Sequence, residues 1–250
     1  MKKRLQFLSI LILILFSYQN LKAQETIIEQ DWVKTYSSQD SIYNQATAID
    51  VNGNVYVTGF TYNSGTQADI TTIKYSDTGT ELWVQTFNGT GNKNDRATGI
   101  SFDSFGNIYV CGFITNSNNN TDFVLIKYND NGSQQWIKTY DNNGNDKANS
   151  IAVDNSNNIY VTGFSEDTNN DFLTIKYDVN GNEIWNKRKN FGNNDRAQSI
   201  QIYNNKIYVA GTAEIADYDF AIVSYALNGT ELWSTAEVTE VDHNSVPFKA

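Results

Sequence analysis

The sequence predicts an all-β fold, a β-propeller built of four-stranded antiparallel blades. Two observations support this prediction. Five tryptophans recur at spacings of 51, 53, 49 and 48 residues, and self-similarity at such a period marks a repeat architecture. Each period holds four short runs rich in Val, Ile, Thr, Tyr and Phe, bounded by Asn, Gly and Asp, as expected for strands joined by tight turns. The tryptophans are Trp32, Trp83, Trp136, Trp185 and Trp233.

Each of the last four tryptophans closes a phrase in which Tyr, Gly and Trp follow one another at intervals of four residues. The phrases are Tyr75-Gly79-Trp83, Tyr128-Gly132-Trp136, Tyr177-Gly181-Trp185 and Tyr225-Gly229-Trp233. Four antiparallel strands per period are typical of a propeller blade. The first strand of a blade lies at the crowded axis, where Ala97 and Gly99 fit, and the Trp strand lies outermost. An open β-solenoid is the alternative architecture.

The repeats divide residues 24–250 into about four complete blades. Their expected bounds are residues 44–87, 97–140, 148–189 and 197–238. Residues 29–36, around Trp32, are expected to form an extra outermost strand ahead of the first blade. Asp242 follows Trp233 by nine residues, close to the ten seen in two earlier repeats, so residues 242–250 are expected to start a further repeat. We therefore expect an incomplete ring.

Residues 1–23 have the pattern of a secretory signal peptide. Three basic residues at positions 2–4 precede the apolar run Leu5–Phe16, whose 12 residues are too few to span a bilayer. Cleavage after Ala23 leaves a chain with no second long apolar run, so we expect no membrane span in the mature protein. The expected location is secreted, in the medium or at the surface of a bacterium, and the periplasm is compatible with the same signal.

Composition excludes several classes of function. The leader carries four positive charges and no negative one, so the net charge of −10 becomes −14 after cleavage. Such an acidic protein repels phosphate backbones, and nucleic acid is not expected as a partner. Cys111 is the single cysteine, which excludes an intrachain disulfide, and His243 is the single histidine, which excludes a His-rich metal site. We predict no catalytic residue and no metal site.

Phrases such as Asn54–Phe60 and Thr72–Tyr75 resemble the SBBP repeat, a bacterial β-propeller repeat. The resemblance covers about residues 31–238 and recurs four times. It implies a secreted or surface protein, often large, and it supplies no catalytic residues.

Asp-rich turns that begin at Asp50, Asp103 and Asp154 hint at calcium. An EF-hand needs Glu at its twelfth position, where the first turn has Thr61. The same residues suit a hairpin turn in which Asp caps backbone amides. We favour the turn and expect no cofactor, with calcium as the alternative.

Two sets of cations recur with the repeat. One lies inside otherwise apolar strands and is expected to be structural, paired with another strand: Lys74, Lys127 and Lys176. The other follows an Asp and precedes the axial strand: Arg96, Lys147 and Arg196. We expect this second set around the central opening, either as solvated or Asp-paired charges or as a site for an anion or carboxylate.

Changes in loop length concentrate at the blade end that joins strands two to three and four to one, and loop composition varies there too. A rigid scaffold with variable loops at one end is a common design for recognition, and drift at a tolerant end is the other explanation. We predict a non-enzymatic binding or adhesion scaffold for a protein or glycan. The expected ligand contacts are Tyr62, Arg96, Asn118, Lys147, Glu166, Arg196 and Tyr218.

Two enzyme classes remain as alternatives. The phrase Asp178–Trp185 also resembles the tryptophan-docking repeat of PQQ-dependent quinoprotein dehydrogenases, which implies calcium, PQQ and more blades. A carbohydrate-active propeller enzyme would need convergent carboxylates. The acids outside the repeat pattern are Glu166, Asp167, Glu214 and Asp217.

Overall fold

The regular structure of the protein is β-strand, in agreement with the turn-bounded runs of β-branched and aromatic residues. The computed structural model describes residues 32–36, 41–63, 65 and 67–236, and no helix occurs among them. The strands are β1 (Ile42–Ile49), β2 (Val55–Asn63), β3 (Gln67–Tyr75), β4 (Glu81–Phe87), β5 (Arg96–Phe102), β6 (Ile108–Thr115), β7 (Thr121–Tyr128), β8 (Gln134–Tyr140), β9 (Asp146–Val153), β10 (Ile159–Glu166), β11 (Asn170–Tyr177), β12 (Glu183–Lys189), β13 (Arg196–Tyr203), β14 (Lys206–Glu214), β15 (Tyr218–Ala226) and β16 (Glu231–Ala236).

These strands form four antiparallel sheets, each made of four strands consecutive in the chain. Blade 1 is β1–β4, blade 2 is β5–β8, blade 3 is β9–β12 and blade 4 is β13–β16. The prediction of an all-β fold built of four-stranded blades is confirmed. Within each blade the Ala-containing strand lies at one edge and the Trp strand at the other.

The apolar core lies between successive blades, because each sheet is buried on the face that its neighbour covers. The core between blades 1 and 2 includes Tyr56, Ile70, Ala97, Val110 and Val124. The core between blades 2 and 3 includes Tyr109, Phe123, Leu125, Ala148 and Val161. The core between blades 3 and 4 includes Tyr160, Phe172, Ala197, Val209 and Val223. The alanines have no exposed area, which explains why the first strand carries small residues.

Each innermost strand contains a β-bulge opposite a glycine of the second strand. In blade 2, Ala97 pairs with Gly112 and Gly99 pairs with Cys111, so Thr98 between them has no partner. A Cβ at Gly112 would lie 2.0 Å from the carbonyl oxygen of Arg96, so only glycine leaves room for the bulge. The other bulge residues are Gln45, Asn149 and Gln198. Their glycines are Gly59, Gly163 and Gly211.

The segment expected to form an extra outermost strand does not do so in its described part. Residues 32–36 have no regular secondary structure, since a β-strand needs a ladder partner and every described ladder joins strands consecutive in the chain. The signal peptide at residues 1–23, residues 29–31 and the expected further repeat at residues 242–250 lie outside the described residues. Lys34–Ala250 form one unit, and Trp32 and Val33 belong to a second one, Met1–Val33. Nowhere in the described chain is there a helix with the length and apolarity that crossing a membrane requires.

Candidate functional site

The lysines inside the apolar strands connect neighbouring blades. Lys127 Nζ donates to the carbonyl oxygen of Val179 at 3.0 Å, and Lys176 Nζ donates to that of Leu227 at 2.9 Å. Lys74 forms an ion pair with Asp130. Each acceptor lies in the turn between the third and fourth strands of the next blade. These are the structural lysines that the sequence predicts, since a buried ammonium requires such partners.

The Asp-rich turns use their carboxylates internally. Asp103 Oδ1 accepts the backbone N–H groups of Phe105 and Asn107, both at 2.9 Å. Its Oδ2 accepts Asn107 Nδ2 at 2.8 Å and the hydroxyl of Tyr109 at 2.9 Å. Asp50 and Asp154 make equivalent bonds. The turn interpretation is confirmed, and within the described ranges no group of three or more His, Cys, Asp and Glu side chains could hold a metal ion.

A cavity of about 880 Å³ opens among the innermost strands of all four blades. The bulge residue of each blade lies in its wall: Gln45, Thr98, Asn149 and Gln198. The other lining residues are Asn145, Lys147, Phe164, Glu166, Asn170, Asn194 and Arg196. Six of these eleven side chains are amides, so the cavity presents many hydrogen-bond donors and acceptors.

Two of the bulge residues connect blades, and two have no such role. Thr98 Oγ1 donates to the carbonyl oxygen of Ala148 at 2.8 Å, and Asn149 Nδ2 donates to that of Ala197 at 2.7 Å. The described residues offer no hydrogen-bond partner to Gln45 or Gln198. The bulge therefore has two effects: it ties the inner strands together, and it directs uncommitted amides to the cavity.

A second repeated feature sets cations on aromatic rings beside this cavity. The guanidinium of Arg96 lies 4.4 Å from the ring centre of Phe60, Lys147 Nζ lies 4.3 Å from that of Phe113, and the guanidinium of Arg196 lies 5.0 Å from that of Phe164. Each ring belongs to the residue that follows the strand-two glycine of the preceding blade. The cation–π contact holds the side chain in place without using its N–H donors.

Among the described residues, none of these cations forms an ion pair with a carboxylate. The ion pairs of the described residues are Lys74–Asp130, Arg188–Asp171 and Lys189–Glu231. Burial lowers the pKa of Lys147, and the charges of Arg196 and Arg96 lower it further. Lys147 is thus close enough to Arg196 and to Arg96 for their charges to disfavour its own.

The aspartates that precede these cations serve the loops instead. Asp195 is fully buried; its Oδ2 accepts the backbone N–H of Phe191 at 2.6 Å and that of Gly192 at 3.1 Å, and its Oδ1 accepts that of Glu214 at 3.2 Å. Asp95 accepts backbone N–H groups of the same kind from Gly89 and Thr115. Asp95 and Asp195 therefore do not pair with the cations that follow them, and the Asp-paired interpretation is wrong for Arg96 and Arg196.

The structure brings together some of the expected ligand contacts and separates others. Lys147, Glu166 and Arg196 line the cavity. Arg96 lies beside them and donates from Nη2 to the hydroxyl of Tyr62 at 3.5 Å. Two others lie away from the cavity: Asn118 is exposed in the turn between β6 and β7, and Tyr218 is 64% exposed at the start of β15.

Sequence reasoning missed the bulge residues and the loop amides. The signal for the bulge was present in blades 2 to 4, because each has an Ala-X-Gly/Ser phrase in its first strand, and all four blades have a Gly in the second strand. The loop amides Asn145, Asn170 and Asn194 carried no comparable signal, since Asn is abundant in every turn of the chain.

The acids considered for hydrolysis do not converge on the cavity. Of Glu166, Asp167, Glu214 and Asp217, only Glu166 is in its wall. Glu166 Oε2 accepts the backbone N–H of Asn145 at 3.1 Å and its Nδ2 at 2.5 Å. Glu214 Oε2 accepts Asn194 Nδ2 at 2.6 Å. The two glutamates thus brace separate loops.

The family comparison agrees with the resemblance seen in the sequence. Residues 83–119 and 135–172 match the SBBP family, described as a β-propeller repeat. These two segments therefore match the repeat that the sequence resembles. An uncharacterized WD repeat-containing protein of Acanthamoeba polyphaga mimivirus is 27% identical over 154 residues, which cover 46% of this chain. That stretch spans 11% of the length of the relative.

Among solved structures, the chain is similar to a gluconolactonase from Xanthomonas campestris and to a protein of unknown function from Dyadobacter fermentans. The first is 11% identical with a TM-score of 0.42, and the alignment covers 67% of this chain and 54% of that chain. The second is 12% identical with a TM-score of 0.49, with 76% of this chain and 67% of that chain covered.

Proposed function

We propose that this chain, with its SBBP β-propeller repeats, is the binding module of a secreted or cell-surface protein and that it binds a glycan. The ligand enters the cavity at the axis from the end that carries the β2–β3 and β4–β5 loops and their equivalents. The observation that supports this most is a set of amides and cations in the cavity wall whose side chains form no hydrogen bond or ion pair with a described residue: Gln45, Lys147, Arg196 and Gln198.

The chemistry of the wall favours a sugar over an apolar ligand. Amide side chains offer donors and acceptors together, which matches the hydroxyl groups of a saccharide. The volume of about 880 Å³ lies in the range of about 300–1,000 Å³ that is usual for small-ligand sites. A concave, polar site of this size suits an oligosaccharide better than the flat surface of a folded protein.

The test is oligosaccharide binding by calorimetry, with the double variant Gln45→Ala/Gln198→Ala. Both side chains lack described hydrogen bonds, so we expect unchanged folding and about a tenfold loss of affinity, as for two lost hydrogen bonds. The matched control is Val51→Ser/Phe105→Ser, two residues at the opposite end that are 96% and 72% exposed. Affinity that falls equally in both variants contradicts the site, and binding to a protein but to no oligosaccharide contradicts the ligand class.

A further inference from the structure

The cations beside the cavity are placed for a ligand that carries negative charge. Lys147 and Arg196 lie in the cavity wall, and the charge of Arg96 acts on Lys147. No ion pair or hydrogen bond among the described residues uses the side-chain nitrogen atoms of Lys147 or Arg196. Arg196 is exposed and Lys147 is half-buried, so a ligand in the cavity offers these donors acceptors in place of solvent.

Cation–π contacts with phenylalanine rings hold the ends of these two side chains in position. Phe113 and Phe164 hold the ends of Lys147 and Arg196 at 4.3 and 5.0 Å from their ring centres. A side chain held in this way loses less conformational entropy when it binds. The site is therefore partly preorganised, unlike a pair of freely moving surface cations.

The other charged groups nearby leave a net positive wall. Glu166 is the one carboxylate among the lining residues, and its Oε2 is already engaged by Asn145. The aspartates directly before the three cations, Asp95, Asp146 and Asp195, are buried and are not among the lining residues. In a protein with a net charge of −10, a positive cavity wall stands out from the surrounding surface.

We propose that Lys147 and Arg196, with Arg96 beside them, form a carboxylate subsite that makes the cavity select glycans containing uronic acids. The planar guanidinium of Arg196 matches a carboxylate in a bidentate manner, and the ammonium of Lys147 adds a point charge. The neighbouring amides then hydrogen-bond to the sugar hydroxyls. This subsite rests on the proposed glycan function and names the class of sugar.

The experiment compares an oligogalacturonate, its methyl ester and free galacturonate in calorimetric titrations at low and moderate salt. We expect the oligogalacturonate to bind at least about tenfold more tightly than its methyl ester, since one charge-assisted hydrogen bond accounts for such a factor. Lys147→Gln and Arg196→Gln should each lower affinity for the acid about tenfold and remove the preference over the ester. Lys206→Gln removes the same charge from an exposed position at the opposite end of blade 4 and should leave both affinities unchanged.

A second measurement needs no ligand. Lys147→Gln loses the contact with Phe113 but also relieves the repulsion from Arg196 and Arg96. It should therefore lower the melting temperature less than Lys127→Gln, which removes a structural lysine bonded to Val179. Equal affinity for the oligogalacturonate and its methyl ester, unchanged by either substitution, overturns the subsite but not the proposal of glycan binding. Failure of all three sugars to bind overturns both proposals. A melting temperature lowered as much by Lys147→Gln as by Lys127→Gln overturns the subsite alone.

Discussion

The indole of Trp83 in blade 1 packs against Gly132 in blade 2. A Cβ built on Gly132 would lie 2.8 Å from Cδ2 of Trp83, and Trp83 Nε1 donates to the carbonyl oxygen of Asp130 at 2.9 Å. The contact repeats at the next two junctions, where Trp136 meets Gly181 and Trp185 meets Gly229. At these three junctions the glycine of the Tyr-Gly-Trp phrase therefore packs against the tryptophan of the preceding blade, not against the tryptophan of its own phrase.

Gly132→Ala is expected to lower the free energy of unfolding by about 2–4 kcal/mol. The substitution adds strain at φ +80° and forces the indole away. Gly106→Ala is the matched control, because Gly106 has φ +79° and its nearest atoms lie 4.0 Å from the added Cβ. Gly106→Ala should lower the free energy of unfolding by about 1 kcal/mol, measured for both variants by chemical denaturation. Equal losses for the two variants would show that the Trp–Gly contact contributes nothing beyond backbone strain.

Asp122 is expected to make stability depend on pH between about 4 and 7. Burial, and then the charge of Asp141, raises the pKa of Asp122 to about 6, from an ordinary value of 3.8. A carboxyl whose pKa is raised by folding binds its proton more tightly in the folded state. Its contribution is therefore favourable at low pH and is lost as pH rises through 6.

Asp122→Asn should consequently stabilise the protein at pH 7–8 by about 2 kcal/mol, and the gain should vanish near pH 4. The amide oxygen can still accept the hydrogen bond that Asn116 Nδ2 now gives to the carboxylate at 2.9 Å. Asp167→Asn, an exposed acid at the same end, should have little effect. A gain that is the same at pH 4 and pH 8 contradicts the assignment.

Phe220 in blade 4 is expected to promote self-association. It is 84% exposed, whereas the equivalent Phe123 and Phe172 are 0% and 1% exposed because a following blade covers them. An exposed aromatic side chain on an uncovered sheet face favours association. Phe220→Ser should reduce concentration-dependent association in analytical ultracentrifugation without changing stability. A parent protein that stays monomeric to high concentration contradicts this prediction, and a ring of four blades closed in solution scattering contradicts the incomplete ring.

Ligand binding is expected to depend on loops at one end of the blades. The turn at residues 116–120 lies at that end, and Asn120 Nδ2 donates to the carbonyl oxygen of Asn143 in the neighbouring loop at 3.0 Å. Replacing residues 116–120 with a short Gly-Asn turn should weaken glycan binding several-fold. The opposite-end control is Val51→Ser/Phe105→Ser, which changes two exposed side chains. Equal loss in the two variants, with folding unchanged, argues against a single recognition end.

The repeat pattern predicted the blades because each strand and turn depends on local residues. The period of the tryptophans, the β-branched runs and the Asn-Gly turns all act over a few residues, and the observed sheets are hairpins of consecutive strands. The structural role of Lys74 was likewise predictable, since an ammonium inside an apolar strand needs a partner. The extra strand expected at residues 29–36 failed in its described part because composition alone cannot supply a ladder partner.

What the sequence determined by itself is thus the identity of the repeated unit: four strands, their turns, and which residues are small or large. The tertiary structure alone decided what meets at the axis and between blades. Gln45 and Gln198 are 153 residues apart in the chain, yet both line one cavity because a bulge in each inner strand turns them there. Likewise, the repeated Tyr-Gly-Trp phrase gives the spacing of its residues, but it does not show that each glycine packs against the tryptophan of the preceding blade. Such contacts depend on how whole blades pack, and no local pattern encodes the orientation of one sheet against the next.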